Sequence, residues 1–299
     1  MPQFYDAIIV GAGPAGVSCA VWLTKLGLSS LLIEASARVG GLTNENPFHD
    51  DWIAVLPHVT GQQVAANLAR SVEGVGVVVR LGCTARSAAL CAGGVRITLA
   101  DKDDCIEEVY GHSLVIASGV RAKGLPGQSP GTHWPGVVVG PGSAILAQDY
   151  TGLSVAVLGG GDNAFENFVY VRNRGARAVR LYARTVRAQQ QWVARVSAGD
   201  LYVGPYQVDP AARTVEGRPY DLILVFYGWE PCIAFTSDLN LERDERGYIC
   251  TRFATAQTSV PNIYAIGEAA HRMHPCVVTA LADGVVAAKA IQRRREQSG

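Results

Sequence analysis

Neither sign of charge is in excess in this 299-residue chain. Its 26 basic residues are matched by 26 acidic ones, and no long basic run interrupts the balance. The electrostatic footprint of a nucleic-acid-binding surface is therefore missing. No apolar stretch approaches the ~18 residues of a membrane span. Cysteine is sparse, with seven residues at irregular spacing, which form neither a secreted disulfide framework nor a zinc ligand set. A strand is entered by residue 7, leaving no room for a signal peptide, so a cytoplasmic protein is expected. The run Arg293-Arg294-Arg295 is read as the complement of a terminal helix end. A weak contact with an anionic membrane surface is the lesser reading. The most pointed absence is local: no cysteine lies between Cys105 and Cys232.

What is present is organised around residues 6 to 43. With 48% hydrophobic residues, the chain can build one large domain or two smaller ones. Ala7 to Val10 read as a buried parallel strand. Gly11, Gly13 and Gly16 follow at G-x-G-x-x-G spacing, with Pro14 and Ala15 between them. The first glycine makes a tight turn, the second admits a pyrophosphate, and the third lets helix and strand pack closely. The helix start offers free N–H groups and the positive end of a dipole. Glu34 ends the next strand 18 residues after Gly16, with Ala35 beside it. A carboxylate there accepts ribose hydroxyls and repels a 2′-phosphate.

A second unit of the same kind begins at Ser154. Gly159, Gly161 and Ala164 match G-x-G-x-x-A, and Asp162 and Asn163 open the helix. Position 182, again 18 residues after the last small residue, is Tyr rather than an acid. Arg184 and Arg187 follow. Tyr182 is placed where its ring would stack on an adenine, a contact that needs no 2′-phosphate. Helices are expected over 62–71 and after Gly161, and strands over 75–81, 95–99, 107–110, 114–117, 179–182 and 222–227. Trp52 fills core or covers a bound ring, and core is the favoured reading. The predicted fold is α/β, with two Rossmann-like dinucleotide-binding domains in a three-layer ββα plan. The first is discontinuous, 1–119 and 246–299, and the second spans 120–245.

The opening fingerprint and Gly40-Gly41-Leu42-Thr43 resemble the low-molecular-weight thioredoxin reductase family. The resemblance covers nearly the whole chain and implies FAD at the first site. It places Gly41, Leu42, Thr43 and Asn46 along the flavin ring, and Ala85 against the adenine. Ala117-Ser118-Gly119 resembles the family's Ala-Thr-Gly signature beside FAD. Gly267-Glu268 resembles its second FAD fingerprint, with Glu where the family has Asp. Cys276-Val277 falls where the last helix begins, and Val277 takes the position whose backbone N–H supports negative charge at the flavin. Departures are equally clear. The Gln that usually follows the glycine pair is missing, so Phe48 to His58 has no secure alignment. The family's His-Arg-Arg run, which grips the NADP 2′-phosphate, reads Tyr182-Ala183-Arg184. Its Gly-His-x-Pro-Asn turn reads Gly228-Trp229-Glu230-Pro231-Cys232, preceded by Tyr227.

The family's Cys-x-x-Cys, which shuttles electrons between flavin and thioredoxin, is replaced by residues 136–145, which hold no cysteine. Ordinary thioredoxin reductase chemistry is thereby excluded. Three readings follow. The first is an atypical disulfide oxidoreductase. It resembles the cyanobacterial diflavin-linked disulfide oxidoreductases, which hold a second FAD where NADPH would sit. The short stretch of 33 residues between Arg187 and Asp221, together with Tyr182, Ala183, Tyr227 and Trp229, carries that likeness. The second is a cysteine-independent reductase linked to NADP(H) or ferredoxin. Such proteins commonly extend further past the last helix than the fifteen residues after Gly284. The third is a flavin-binding redox sensor. Cys276, at a helix start that favours thiolate, is the candidate catalytic thiol. The expected partners are a small-molecule or protein thiol or disulfide, with ferredoxin or a membrane-linked donor as alternatives. The resemblance implies a homodimer.

Overall fold

The computed structural model describes residues 4–46, 49–127 and 133–298. The chain divides into two units. Unit 1 comprises the residues up to Val120 and those from Pro231 on, and unit 2 runs Arg121–Glu230. Unit 2 begins at Arg121, against residue 120 in the sequence reading. The return comes earlier than the sequence suggested, because Ile233, Phe235, Leu239 and Leu241 are buried in a core cluster of unit 1.

Unit 1 opens with β1 (Phe4–Val10), α1 (Pro14–Lys25) and β2 (Ser30–Ile33). Helix α2 (Gly61–Val75) follows. Thr60 caps it in a reciprocal pair with Gln63, and Gly76 ends it in the left-handed conformation (φ 71°). The helix runs past the expected 62–71 to its stop at Gly76, which shortens the next strand to β3 (Val78–Arg80). Three antiparallel strands come next: β4 (Thr84–Cys91), β5 (Gly94–Ala100) and β6 (Ile106–Ile116). The two strands expected at 107–110 and 114–117 are one continuous strand, β6. It pairs with β5 along its first half and parallel to β1 along most of its length.

Unit 2 contains β7 (Val137–Val139), β8 (Ser154–Leu158), α3 (Asp162–Asn173), β9 (Ala178–Ala183), β10 (Leu201–Val203) and β11 (Leu222–Val225). Its sheet is parallel throughout, in the order β7-β11-β8-β9-β10. The meander is reduced to two-residue strands at Val208–Asp209, Thr214–Val215 and Arg218–Pro219. The chain then returns to unit 1 with β12 (Ile263–Ala265) and α4 (Val277–Ser298).

The unit 1 sheet runs β3-β2-β1-β6-β5-β4, with β12 added beside β6. Helices α1 and α4 pack directly together. A Cβ on Gly284 would lie 2.5 Å from the Ala15 carbonyl oxygen, so only a bare backbone fits there. The Ser18 hydroxyl donates to the Leu281 carbonyl (2.7 Å) across the same contact. The four-residue runs Ala7–Val10 and Leu222–Val225 are buried, as parallel strands covered on both faces must be. Trp52 corrects an expectation: it is 87% exposed. It sits in a turn where its N–H donates to Asp50 (3.1 Å), and that turn points the ring outward. Phe48, part of the unaligned stretch, lies outside the described residues.

Candidate functional site

In unit 1 the glycine turn follows β1. Gly11 has φ +108°, and its N–H donates to the Ile33 carbonyl (2.8 Å). A Cβ there would stand 2.3 Å from the Ala117 carbonyl oxygen. The ends of β1, β2 and β6 thus meet at one point. Gly16 is equally constrained, since its Cβ would lie 1.9 Å from the Gly11 carbonyl oxygen. Gly13 differs: the nearest atom to a Cβ there is the Cα of Gly41, 4.0 Å away. The space beside Gly13 is therefore open, and Gly41 forms its far side. A pyrophosphate fits this slot at the start of α1, where the first-turn N–H groups have no intrahelical acceptor. Pro14 begins the helix and Ala15 is buried.

Glu34 ends β2. Its Oε2 accepts the Ala12 N–H (2.8 Å) and its Oε1 the Ser36 N–H (2.9 Å). The carboxylate expected to meet a ribose also braces the glycine turn. Ala35 is exposed beside it. Leu42 and Thr43 lie in a 3-10 turn, Gly41–Glu45, in which the Thr43 hydroxyl donates to the Gly40 carbonyl (2.7 Å). The Asn46 carbonyl accepts the Gln62 N–H (3.1 Å). Ala85 packs against the core at a bulge in β4. The Ser118 hydroxyl is buried with no hydrogen-bond partner, a group left for a ligand atom to satisfy. The neighbouring Gly119 carbonyl accepts the Cys232 N–H (3.0 Å).

A narrow cleft in unit 1 brings together Gly267, Glu268, Arg272, Cys276 and Asp283. Burial raises the Glu268 carboxyl above the usual carboxylate range. Asp283 is raised by burial too, an effect opposed by Arg272 and by the Gly267 N–H that donates to its Oδ2 (3.0 Å). Arg272 and Asp283 form a buried ion pair (3.2 Å). The Cys276 thiol is exposed and lies 3.4 Å from the Thr279 hydroxyl, whose N–H approaches the sulfur at 3.5 Å. Val277 starts α4 and packs against the core. All seven cysteines are free thiols, and all lie in unit 1. Burial pushes the Cys19 thiol up to about 12, which removes it as a thiolate partner for Cys276.

Unit 2 repeats the turn. Gly159 has φ +144°, its N–H donates to the Tyr182 carbonyl (2.9 Å), and its Cβ would lie 2.4 Å from the Phe226 carbonyl oxygen. Nothing lies within 4 Å of a Cβ on Gly161, so the start of α3 is open to a phosphate. Asp162 and Asn163 form the first turn, and Ala164 is buried. The Asn163 carbonyl accepts the Asn167 amide (2.7 Å).

Tyr182 corrects the sequence reading. It is 1% exposed and its hydroxyl hydrogen-bonds that of Tyr220 (2.7 Å). Its ring lies 5.6 Å from those of Tyr202 and Tyr206. An inward-facing position of β9 puts this ring in the core, where it cannot stack on an adenine. The aromatic surface is instead a cavity of about 290 Å³ lined by Trp134, Arg184, Tyr206 and Tyr227, with Leu125 and Val208 among its apolar walls. The Arg184 guanidinium lies 6.0 Å from the Tyr227 ring centre. Burial raises the phenol pKa of both Tyr206 and Tyr227. Gly228 and Trp229 follow Tyr227. Trp229 is half-buried and does not line the cavity. Trp134 and Tyr206 were not identified from the sequence. They flank no motif, and no spacing in the sequence points to them.

Among the described residues no group of His, Cys, Asp and Glu could hold a metal ion, and no helix is long and apolar enough to cross a membrane. Arg295, in the basic run at the end of α4, pairs with Asp6 (2.8 Å).

Two glycine turns at the carboxyl ends of parallel strands, one per unit, mark two α/β units of the dinucleotide-binding type. The chain belongs to the pyridine nucleotide-disulphide oxidoreductase family, whose model matches residues 5–199 and 204–284, and it is an FAD-dependent oxidoreductase. It is 27% identical to a ferredoxin–NADP reductase of Acidovorax sp. (strain JS42), over 89% of this chain and 82% of that one. It is 26% identical to a thioredoxin reductase of Treponema pallidum, over 97% of each. The thioredoxin reductase of Lactococcus lactis shares its fold, with a TM-score of 0.80 at 23% identity, covering 98% of this chain and 99% of that one.

Proposed function

We propose that this chain is a disulfide or dithiol oxidoreductase that works without a Cys-x-x-Cys pair, with FAD in unit 1 and a second FAD in unit 2. The observation that carries this reading is the unit 2 cavity, walled by Trp134, Tyr206 and Tyr227 with Arg184 beside them, in a unit that holds no cysteine. An aromatic cavity suits a planar ring. The family's adjacent arginine pair is reduced to Arg184, and losing one charge-assisted hydrogen bond, about 1.5–3 kcal/mol, weakens NADP(H) by roughly 10- to 100-fold. Bound FAD supplies a two-electron acceptor. A dithiol loses two electrons and two protons as its S–S bond forms, and disulfide reduction is the reverse. Cys276 is the candidate protein thiol, in the cleft that also holds Glu268. The N–H groups at the start of α4 favour negative charge beside it. The partner is a small-molecule or protein thiol or disulfide, and the chain assembles as a homodimer.

The ferredoxin–NADP reductase relative favours a second reading, with one FAD per chain and electrons exchanged with NADP(H) or ferredoxin. Counting FAD after heat release separates the two. Two per chain, with slow bleaching by NADPH in stopped flow, supports the diflavin enzyme. One per chain, with bleaching faster than about 1 s⁻¹, replaces it with the reductase. Cys276→Ser should abolish flavin reduction by a dithiol, and an unchanged rate removes Cys276 from the mechanism.

A further inference from the structure

The segment that follows β9 carries two cations, Arg184 and Arg187, and is tied to the unit 2 glycine turn at successive points. The Thr185 carbonyl oxygen lies where a Cβ on Gly160 would come within 1.9 Å, so the segment rests flat on that glycine. The Arg187 N–H donates to the Gly160 carbonyl (2.7 Å). Ala188 is buried in the unit 2 core. Asp162 then closes the segment. Its Oδ1 accepts the Gln189 N–H (2.7 Å) and its Oδ2 accepts the Gln189 side-chain amide (2.8 Å). A carboxylate at this helix start would compete with a phosphate, but both of its oxygens are turned to Gln189. Gly161 stays open. Among the described residues neither Arg184 nor Arg187 forms an ion pair with a carboxylate, and Arg184 lines the aromatic cavity.

We propose that the Asp162–Gln189 clamp is a specificity-determining positioning device: it fixes the segment that carries Arg184 and so sets how strongly unit 2 distinguishes a 2′-phosphorylated adenine nucleotide from one without that phosphate. This rests on the reading that unit 2 binds a dinucleotide. A guanidinium on a fixed backbone loses less freedom when it meets a phosphate than one on a loose segment. A ligand without the 2′-phosphate does not call on Arg184 and is indifferent to the clamp.

The test is calorimetric titration of the holoprotein with 5′-ADP and with 2′,5′-ADP, comparing their half-saturating concentrations. A resident second FAD competes equally with both and cancels from the ratio. Gln189→Ala and Asp162→Ala should each weaken 2′,5′-ADP about 5-fold while changing 5′-ADP less than about 2-fold. Asp162→Asn can keep both contacts if the Gln189 amide reverses, and should retain the wild-type ratio. Equal weakening of both nucleotides would reduce the clamp to a structural role and overturn the proposal, as would an unchanged ratio in both alanine variants. If the wild-type protein binds neither nucleotide, the clamp proposal fails, and the dinucleotide reading of unit 2 fails with it unless heating releases a second FAD. If it binds both and only the variants fail to respond, the clamp alone is wrong.

Discussion

The two units build the same turn and put different chemistry around it. In each, the first glycine donates to the end of the neighbouring strand, Gly11 to Ile33 and Gly159 to Tyr182, and presses against a carbonyl, of Ala117 or Phe226. Beyond the turn they diverge. Unit 1 ends its second strand with a carboxylate that braces Ala12 and Ser36, whereas unit 2 ends it with a tyrosine buried in the core. The middle glycine is open in both, Gly13 opposite Gly41 and Gly161 with nothing within 4 Å of a Cβ, but the residue between the first two glycines is Ala12 in unit 1 and, in unit 2, Gly160, on which Thr185 rests. The backbone turn is thus the shared part, and the residues at its rim are what differ.

The sharpest break in this likeness is at the open glycine. Gly13→Leu fills the slot against Gly41 and should yield protein without the unit 1 flavin. Gly161→Leu should leave that flavin and empty unit 2 alone. Flavin-to-protein ratios after heat release check both, and a yellow Gly13→Leu with normal flavin content refutes the unit 1 assignment.

A smaller but still large effect is expected at the third small residue. Gly16 lies so close to Gly11 that Gly16→Ala must move backbone, at a cost of about 3 kcal/mol. Ala164→Gly only removes a methyl and frees the helix, at about 1 kcal/mol. Guanidinium unfolding midpoints measure the difference, and equal costs would show that the two helix–strand contacts are alike.

In unit 2, Tyr227→Ala removes an aromatic wall of the cavity and should weaken adenine nucleotide binding about 10-fold, read by calorimetry. Tyr182→Phe, a core change, should leave that affinity unaltered. The reverse result would return the adenine contact to Tyr182.

The smallest effect concerns Glu268. Its carboxyl is raised by burial, so the folded state holds the proton more tightly than the unfolded one. The associated stability is fully present below the unfolded carboxylate value and is lost as pH rises through the folded one. Glu268→Gln should therefore melt higher than wild-type apoprotein at neutral pH, and the gap should close as the pH falls below about 4.5. A gap constant with pH would remove Glu268 as its source.

Sequence alone determined the parts of the protein that depend on local backbone chemistry. Two glycine spacings, each after an apolar run and before a helix, fixed two parallel α/β units and two open helix starts. The absent Cys-x-x-Cys was just as legible, because a missing residue type needs no coordinates. Tertiary structure decided everything that depends on which way a side chain faces. Tyr182 sits 18 residues after Ala164 just as Glu34 does after Gly16, yet burial in an aromatic core took it out of reach. Trp134 and Tyr206, distant in sequence from any motif, come together with Tyr227 as cavity walls because the packing of unit 2 brings their segments side by side. The boundary at Pro231, the exposure of Trp52 and the grip of Asp162 on Gln189 have the same origin. Each is a contact between residues whose proximity is set by packing, and packing is not written in spacing.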